Sequence, residues 1–380
     1  MKICQSKSIS KLYKIVYYLL MESSLKISLE IIKSNWKSLN NASNGKAAAV
    51  IKANAYGMGM IKVAEALLNA GCDYFYVANL NEGVELRKKY NSRKISIAIF
   101  EGYFEGNQKI YAENNLIPIL NSLEQVKRFK NYTTLQQKTK AILNIDTGMN
   151  RLGLNQTESE FLIKNKVILD NIELEYIMSH LANAQENENK KNLIQLNKVK
   201  EFSKNFPTIK LSLANSCGIR LGSEFCLDQT RPGIGLYGID NFGKCINLGT
   251  EKLTLPVKLF APIIQIKDVK AGEPVSYGGI DILKRNSILA TIGIGYADGW
   301  LRLLKRNSSF FIGYEKCKIV GNVTMDSFVL DITNVKNKKL KEGDYICLLE
   351  NSNFEYILKN IGLISYELLT LMGERICREY

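Results

Sequence analysis

From Leu25 onward the chain alternates short apolar runs with stretches of helical periodicity. The spacing predicts a helix over Leu29–Leu39, then an apolar run, Ala47–Ile51, that reads as a buried strand ending at Lys52. A helix over Ile61–Ala70 closes on Gly71, a residue suited to the left-handed position just past a helix end. Further strands are predicted at Tyr74–Ala78, Ile95–Phe100, Leu116–Leu120, Ala141–Ile145, Leu174–Met178, Thr208–Ala214 and Gln229–Leu236, with helices at Glu82–Lys89, Leu123–Phe129 and Lys190–Phe206. The strand runs are apolar throughout rather than alternating, as parallel strands buried on both faces are. Eight such strands, mostly separated by helices, predict an α/β fold: an eight-stranded parallel (β/α)8 TIM-like barrel. A doubly wound open sheet is the alternative. It would want a G-x-G-x-x-G turn after the first strand, and Ala55-Tyr56-Gly57-Met58-Gly59 is not one.

Beyond residue 252 the texture changes. Val257–Ile266, Ser287–Ile294, Cys317–Val323, Ser327–Ile332 and Tyr345–Leu349 read as strands, with turns such as Lys270-Ala271-Gly272 and Glu342-Gly343-Asp344. The expected organisation is a barrel over 25–252 and a C-terminal mostly-β domain over 253–380. Residues 1–24 form an extension, in which Met21 is a candidate start. Lys11 and Lys14 followed by Ile15-Val16-Tyr17-Tyr18-Leu19-Leu20 resemble a signal peptide, but the apolar part is short and no small-x-small cleavage site follows.

The formal net charge of +14 comes from dispersed lysines, with no dense basic tract carrying interleaved aromatics. That argues against nucleic acid as a partner and for a solvated surface with a mild preference for anionic substrates. Eight cysteines stand without a C-x-x-C pair, against a metal site or disulfide framework and for a reducing, cytoplasmic setting. No segment is long enough to span a bilayer, so no membrane partner is expected.

Barrels of this kind gather the C-terminal ends of their strands into one pocket. The unusual polar residues fall at those ends: Lys52 after strand one, Asp146-Thr147-Gly148-Met149-Asn150-Arg151 after strand five, Ser179-His180 after strand six, Asn215-Ser216 after strand seven and Arg231-Pro232-Gly233-Ile234 at strand eight. A lysine leaving a core is poorly solvated, which lowers its pKa and frees its lone pair for Schiff-base chemistry. The loops after strands seven and eight are the usual phosphate seat of such barrels. Here they offer the Ser216 hydroxyl and the N–H groups of Gly233 and Ile234, and glycine lets backbone approach a phosphate closely. A phosphate seat near such a lysine suggests pyridoxal 5'-phosphate (PLP).

The segments AVIKANAYG, DTGMNRLG, SHLA, ANS, RPGIGLYG, GYADG, VTMD and YELLT follow in order, and together they resemble the PLP-dependent alanine racemase family over roughly residues 25 to 380. The resemblance implies an isomerase that interconverts L- and D-alanine and supplies D-alanine for peptidoglycan. It implies that Lys52 carries PLP and acts as acid and base on one face of the substrate α-carbon, and that Tyr296 acts on the other. It further implies a homodimer in which Tyr296 reaches the partner's barrel. Arg231 would face the pyridine nitrogen, with His180 and Asn215 beside the cofactor. Tyr56, Ser216, Gly233, Ile234 and Tyr366 would hold the phosphate, while Arg151 and the backbone at Met325 would orient the substrate carboxylate. Two bases suit racemisation, because a proton leaves one face of a planar centre and another returns to the opposite face. An arginine at the pyridine nitrogen keeps its own proton, which weakens the electron sink and suppresses transamination. Several positions depart from the family pattern, among them the segment before Asn215-Ser216, which lacks the usual histidine. Met58 replaces a histidine, Cys377 replaces a proline, and Asn144 stands where many members carry a carbamylated lysine beside the substrate arginine. Asn144 is expected to hydrogen-bond Arg151 instead.

Overall fold

The computed structural model describes residues 22–380 apart from 92–93, 134–138, 301, 305–308, 313–314 and 336–338. Almost all of the 1–24 extension lies outside the described residues. The chain forms two compact units: residues 29–254, and a second made of 255–380 together with residues 22–28. No helix among the described residues is long and apolar enough to cross a membrane.

The first unit is an eight-stranded, all-parallel sheet in sequential order. Its strands are β1 (Ala49–Val50), β2 (Tyr74–Val77), β3 (Ser96–Ile99), β4 (Ile117–Leu120), β5 (Thr139–Asn144), β6 (Ile172–Met178), β7 (Lys210–Asn215) and β8 (Gln229–Arg231). The sheet closes on itself between β1 and β8. Ala48 N–H donates to Thr230 O (3.0 Å), Thr230 N–H to Lys46 O (2.9 Å) and Val50 N–H to Pro232 O (2.9 Å). Closure removes both sheet edges and buries runs such as Tyr74–Val77, Ser96–Ile99 and Ile117–Leu120 on two faces, which is why these carry no polar alternation; Ile172–Met178, with its exposed Glu173, and the polar Gln229–Arg231 depart from that pattern. Helices return the chain between strands as the periodicity predicts, over Leu29–Ala42, Met60–Ala70, Leu80–Lys89, Leu123–Tyr132 and Lys190–Ser203. Gly71 ends the second of these at φ 105°, a conformation that favours glycine.

Two of the longer barrel helices escaped the sequence reading. Gln108–Glu113 buries only Tyr111, and Gln156–Lys164 buries only Leu162, so neither shows an apolar stripe. The second has a capping box, in which Asn155 and Glu158 each bind the other's backbone N–H, and the Asn-x-x-Glu spacing is a legible start signal. Strand eight is shorter than expected. It stops at Arg231, because Pro232 has no N–H for a ladder, and Ile234–Tyr237 turns into a 3-10 helix.

The second unit is built on Val257–Val269, a strand of 13 residues. Its far half pairs with Ser287–Ile292 and the sheet continues through Phe328–Asp331, Glu315–Val320 and Ser309–Ile312. Its near half pairs with Tyr345–Leu349 and with Ser24–Ile27. That last strand lies within the segment expected to open the barrel. It sits in this sheet instead because Leu25 and Ile27, both buried, are in register with Leu259 and Val257 and need an apolar neighbour strand. Two helices not foreseen, Phe354–Ile361 and Ser365–Thr370, and the strand Cys377–Glu379 complete the unit.

Asn35 ties the barrel's first helix to its last turn. Its amide donates to Leu236 O (3.0 Å) and Thr254 O (2.8 Å) and accepts from Thr254 N–H (3.1 Å). Asn35→Ala leaves buried backbone groups unpaired and is expected to cost about 2–4 kcal/mol. Denaturant unfolding followed in the far ultraviolet checks this, and a loss below about 0.5 kcal/mol would contradict the anchoring role.

Candidate active site

Lys52 follows β1 directly and begins a turn of unusual hand. Ala53, Asn54, Ala55 and Tyr56 all have positive φ, at 53°, 52°, 54° and 56°. Each left-handed L-residue costs roughly 1–2 kcal/mol, so the turn persists only because its surroundings hold it. Inside the turn, Ala55 N–H donates to Ile51 O (2.9 Å) and Gly57 N–H to Ala53 O (2.9 Å). Asn54 Oδ1 accepts from Met60 N–H (2.7 Å), the otherwise orphaned start of the next helix. Across the loop, Glu82 Oε1 accepts from Ala53 N–H (2.7 Å).

The Lys52 amine lies 5.4 Å from the centre of the Phe100 ring. Burial pushes its pKa below the usual lysine value, the Arg151 charge pushes it the same way, and Glu82 opposes both. The strand-end reading of the lysine therefore has a structural cause: the amine is partly buried and the Arg151 charge bears on it more than that of Glu82.

The left-handed turn delivers the buried Tyr56 to the far side of the rim. A Cβ placed on Gly233 would meet the Tyr56 hydroxyl at 2.3 Å, so the bare glycine is what lets the phenol approach the backbone. Ser216, at the exit of β7, accepts from Gly233 N–H (3.0 Å) and Gly235 N–H (2.9 Å) through its Oγ. A hydroxyl, a phenol and a run of backbone N–H groups thus converge between the β7 and β8 exits, a cradle suited to a phosphate.

Arg231 is buried in the barrel without a carboxylate. Its Nη1 donates to Ser212 Oγ, and its Nη2 donates to Ser179 O (2.5 Å) and Leu213 O (3.4 Å). Its Nε is buried and has no partner among the described residues. A buried charged donor left unpaired is costly, and a ring nitrogen with a free lone pair would satisfy it. His180 stands next to it. Loss of hydration, then the charges of Arg231, Arg151 and Lys52, push its pKa down to about 3, so the ring is neutral at ordinary pH. Asn215 Oδ1 accepts from Gly218 N–H (2.9 Å), which turns its Nδ2 toward His180 Nε2 at 3.5 Å. That contact is at the limit of a hydrogen bond and favours the proton on Nδ1.

Arg151, exposed in the loop after β5, makes no hydrogen bond or ion pair among the described residues. The expected Asn144–Arg151 contact is not made. Asn144 is buried, and its Nδ2 donates to Asn121 Oδ1 (2.8 Å), whose Nδ2 donates in turn to Phe100 O (2.9 Å). An asparagine is too short to leave that interior chain and reach the rim.

Tyr296, Met325 and Tyr366 belong to the second unit. Tyr296 lies in the turn Gly295–Gly299 and is 44% exposed; Met325, in the neighbouring turn, is 53% exposed. The two turns are stitched together: Tyr296 N–H donates to Thr324 O (3.0 Å) and Ala297 N–H to Met325 O (3.0 Å). A side chain on Gly295 would strike Met325 O at 2.3 Å, which explains the glycine. The buried Asp298 accepts from Gly295 N–H (2.8 Å) and pairs with Arg375 (3.0 Å), which also reaches Asp326 (2.9 Å). Tyr366 sits on the helix Ser365–Thr370, whose exit is fixed to the same turn by Gly373 N–H donating to Asp298 O (3.0 Å).

Lys52, Tyr56, Arg151, His180, Asn215, Ser216, Arg231, Gly233 and Ile234 are thus brought to one rim of the barrel, and Tyr296, Met325 and Tyr366 are tied together on the second unit. The sequence reading missed the residues that hold these in place. Glu82, Ser212 and Asp298 are examples, as is Gln195, which donates to His180 O (2.9 Å) and Thr147 Oγ1 (3.1 Å) and accepts from Ala182 N–H (2.9 Å). Only Asp298 carried a signal, as the acid of the GYADG segment.

Known proteins match both units. The family model for the alanine racemase N-terminal domain matches residues 27–241, and that for the C-terminal domain matches 257–380. An alanine racemase of Rickettsia bellii is 38% identical over 89% of this chain and 82% of its own length. One of Rickettsia typhi is 34% identical over 94% of this chain and 98% of its own. A crystal structure of alanine racemase from Bartonella henselae with covalently bound pyridoxal phosphate is 36% identical and superposes with a TM-score of 0.87, over 94% of this chain and 99% of that one. With both family domains matched in order and relatives aligned along nearly the whole length, the chain belongs to the alanine racemase family.

Proposed function

We propose that the protein interconverts L- and D-alanine with PLP held covalently on Lys52, as a cytoplasmic homodimer whose sites combine the barrel of one subunit with Tyr296 of the other. The D-alanine is destined for peptidoglycan. The observation that carries the reading is the rim itself. A half-buried lysine with a depressed pKa, a phosphate cradle and a buried guanidinium with a vacant Nε donor lie at adjoining strand ends.

These residues fit PLP group by group. Tyr56, Ser216, Gly233 and Ile234, with Tyr366, would take the phosphate. Arg231 Nε would donate to the pyridine nitrogen, and the neutral His180 and Asn215 would flank the ring. When bound, PLP draws electron density from the substrate α-carbon and makes its proton labile. Everything else falls to this chain's own groups. Arg151 and the Met325 backbone orient the alanine carboxylate, so that the α-proton points to one base or the other. Lys52 Nζ, once neutral, accepts or returns a proton on one face. The Tyr296 hydroxyl does the same on the opposite face, and the Asp298–Arg375–Asp326 contacts hold its turn in register with Met325. Burial lowers the pKa of Arg231, but a guanidinium starts so high that it remains protonated throughout.

The exposure of Tyr296 and Met325 supports the shared site: an essential phenol standing at a surface needs a second surface to exclude water from it. Tyr296→Phe is expected to lower turnover of L-alanine by about 10²–10⁴-fold while borohydride still traps PLP on Lys52. Unchanged turnover would remove the phenol from the chemistry. Mixed dimers of Lys52→Ala and Tyr296→Phe subunits are expected to regain activity, because one of their two composite sites is intact. Verified mixed dimers without activity would overturn the shared site.

A further inference from the structure

Glu82 belongs to the barrel helix Leu80–Lys89, capped at its start by Asn79, whose side chain accepts from Glu82 N–H (3.1 Å). Glu82 is the third residue of that helix, where an acid normally folds back onto the cap residue's own N–H. This one does not. One carboxylate oxygen accepts from Ala78 N–H (2.8 Å), at the exit of β2, and the other crosses to Ala53 N–H (2.7 Å), at the exit of β1. A single carboxylate therefore binds two neighbouring strand ends, at the first residue of the left-handed turn and next to Lys52.

We propose that Glu82 is a positioning residue for Lys52, its carboxylate pinning the left-handed turn to the adjoining strand end so that the lysine and Tyr56 face opposite sides of one pocket. The inference rests on Lys52 being the cofactor-bearing amine. Four features support it. Ala53 opens a run of four non-glycine residues at positive φ, a conformation these residues adopt only under restraint. The hydrogen bond to Ala53 comes from another element, whereas the Ala55 and Gly57 bonds lie within the turn and cannot fix its direction. Both backbone N–H groups donate to a carboxylate, and bonds to such an acceptor are shorter and stronger than neutral ones. Finally, among the described residues the charges that bear on Lys52 are those of Arg151 and Glu82, with His180 neutral, so Glu82 is the anion set against the Arg151 cation. It keeps the amine from becoming neutral too readily while it fixes where the amine lies.

Glu82→Ala removes both bonds and the charge; Glu82→Gln removes the charge and leaves one acceptor. Two measurements on the full-length protein separate positioning from mere support. The first is competitive labelling of Lys52 by acetic anhydride against pH, in protein freed of cofactor with hydroxylamine. Its midpoint is expected to fall by about half a pH unit or more in both variants. The second is turnover of the reconstituted enzyme, where kcat is expected to fall about tenfold or more in Glu82→Ala and less in Glu82→Gln, with KM for alanine little changed. Should Glu82→Ala fail to fold, the Glu82→Gln midpoint decides alone. Variants that lose thermal stability but keep the wild-type midpoint and kcat would overturn the proposal. Borohydride trapping on the wild-type protein tests the underlying reading separately. Failure to find PLP on Lys52 would sink the cofactor assignment, while the labelling midpoints would still judge Glu82.

Discussion

The hydrogen bonds that join the first barrel strand to the last turn a scattered set of residues into a site. Lys52 and Arg231 are far apart in sequence. The ladder from Lys46, Ala48 and Val50 to Thr230 and Pro232 sets their strand ends side by side. From that closure follow the approach of Tyr56 to Gly233, the seat formed with Ser216, and the shared electrostatic field of Lys52, Arg231 and His180. Cations crowd this end of the barrel. Burial first, and these charges after it, keep the histidine neutral and ease the lysine toward its neutral form, and a phosphate-bearing anion is the natural counter-charge for such a rim.

The barrel was legible because burial on both faces leaves a mark in runs such as Ala47–Ile51 and Ile95–Phe100, which have almost no polar residue. Helices on its outer surface were legible only where they bury a stripe. Gln156–Lys164 buries one side chain and shows itself in its cap alone. The strand Ser24–Ile27 was not foreseen because an apolar pair, Leu25 and Ile27, fits either unit, and only pairing with Val257–Val269 places it.

The candidate site was legible to a similar depth. Residues that project chemistry, such as Lys52, Arg151, His180 and Arg231, stand at strand ends and announce themselves by type. Residues that hold them do not. Glu82 looks like an ordinary acid in a helix's first turn, and Ser212 like an interior strand residue; their roles depend on which neighbour lies across the loop or the barrel. The left-handed turn is invisible for a different reason. In Ala-Asn-Ala-Tyr only Asn54 tolerates positive φ readily, so the run of four is imposed from outside. Asn144 shows the same limit: its side chain could reach several partners, and packing chose Asn121 over Arg151.

The account's central claim is that inversion at the α-carbon uses two separate proton carriers, the Lys52 amine and the Tyr296 phenol. It is tested most directly by converting L-alanine in D₂O and reading isotope at the α-carbon of the earliest D-alanine formed. Two carriers on opposite faces, each exchanging with solvent, predict product bearing deuterium while the remaining L-alanine still bears protium. Substantial protium carried from substrate into the first product would mean that one group ferries the proton across, and would contradict the account.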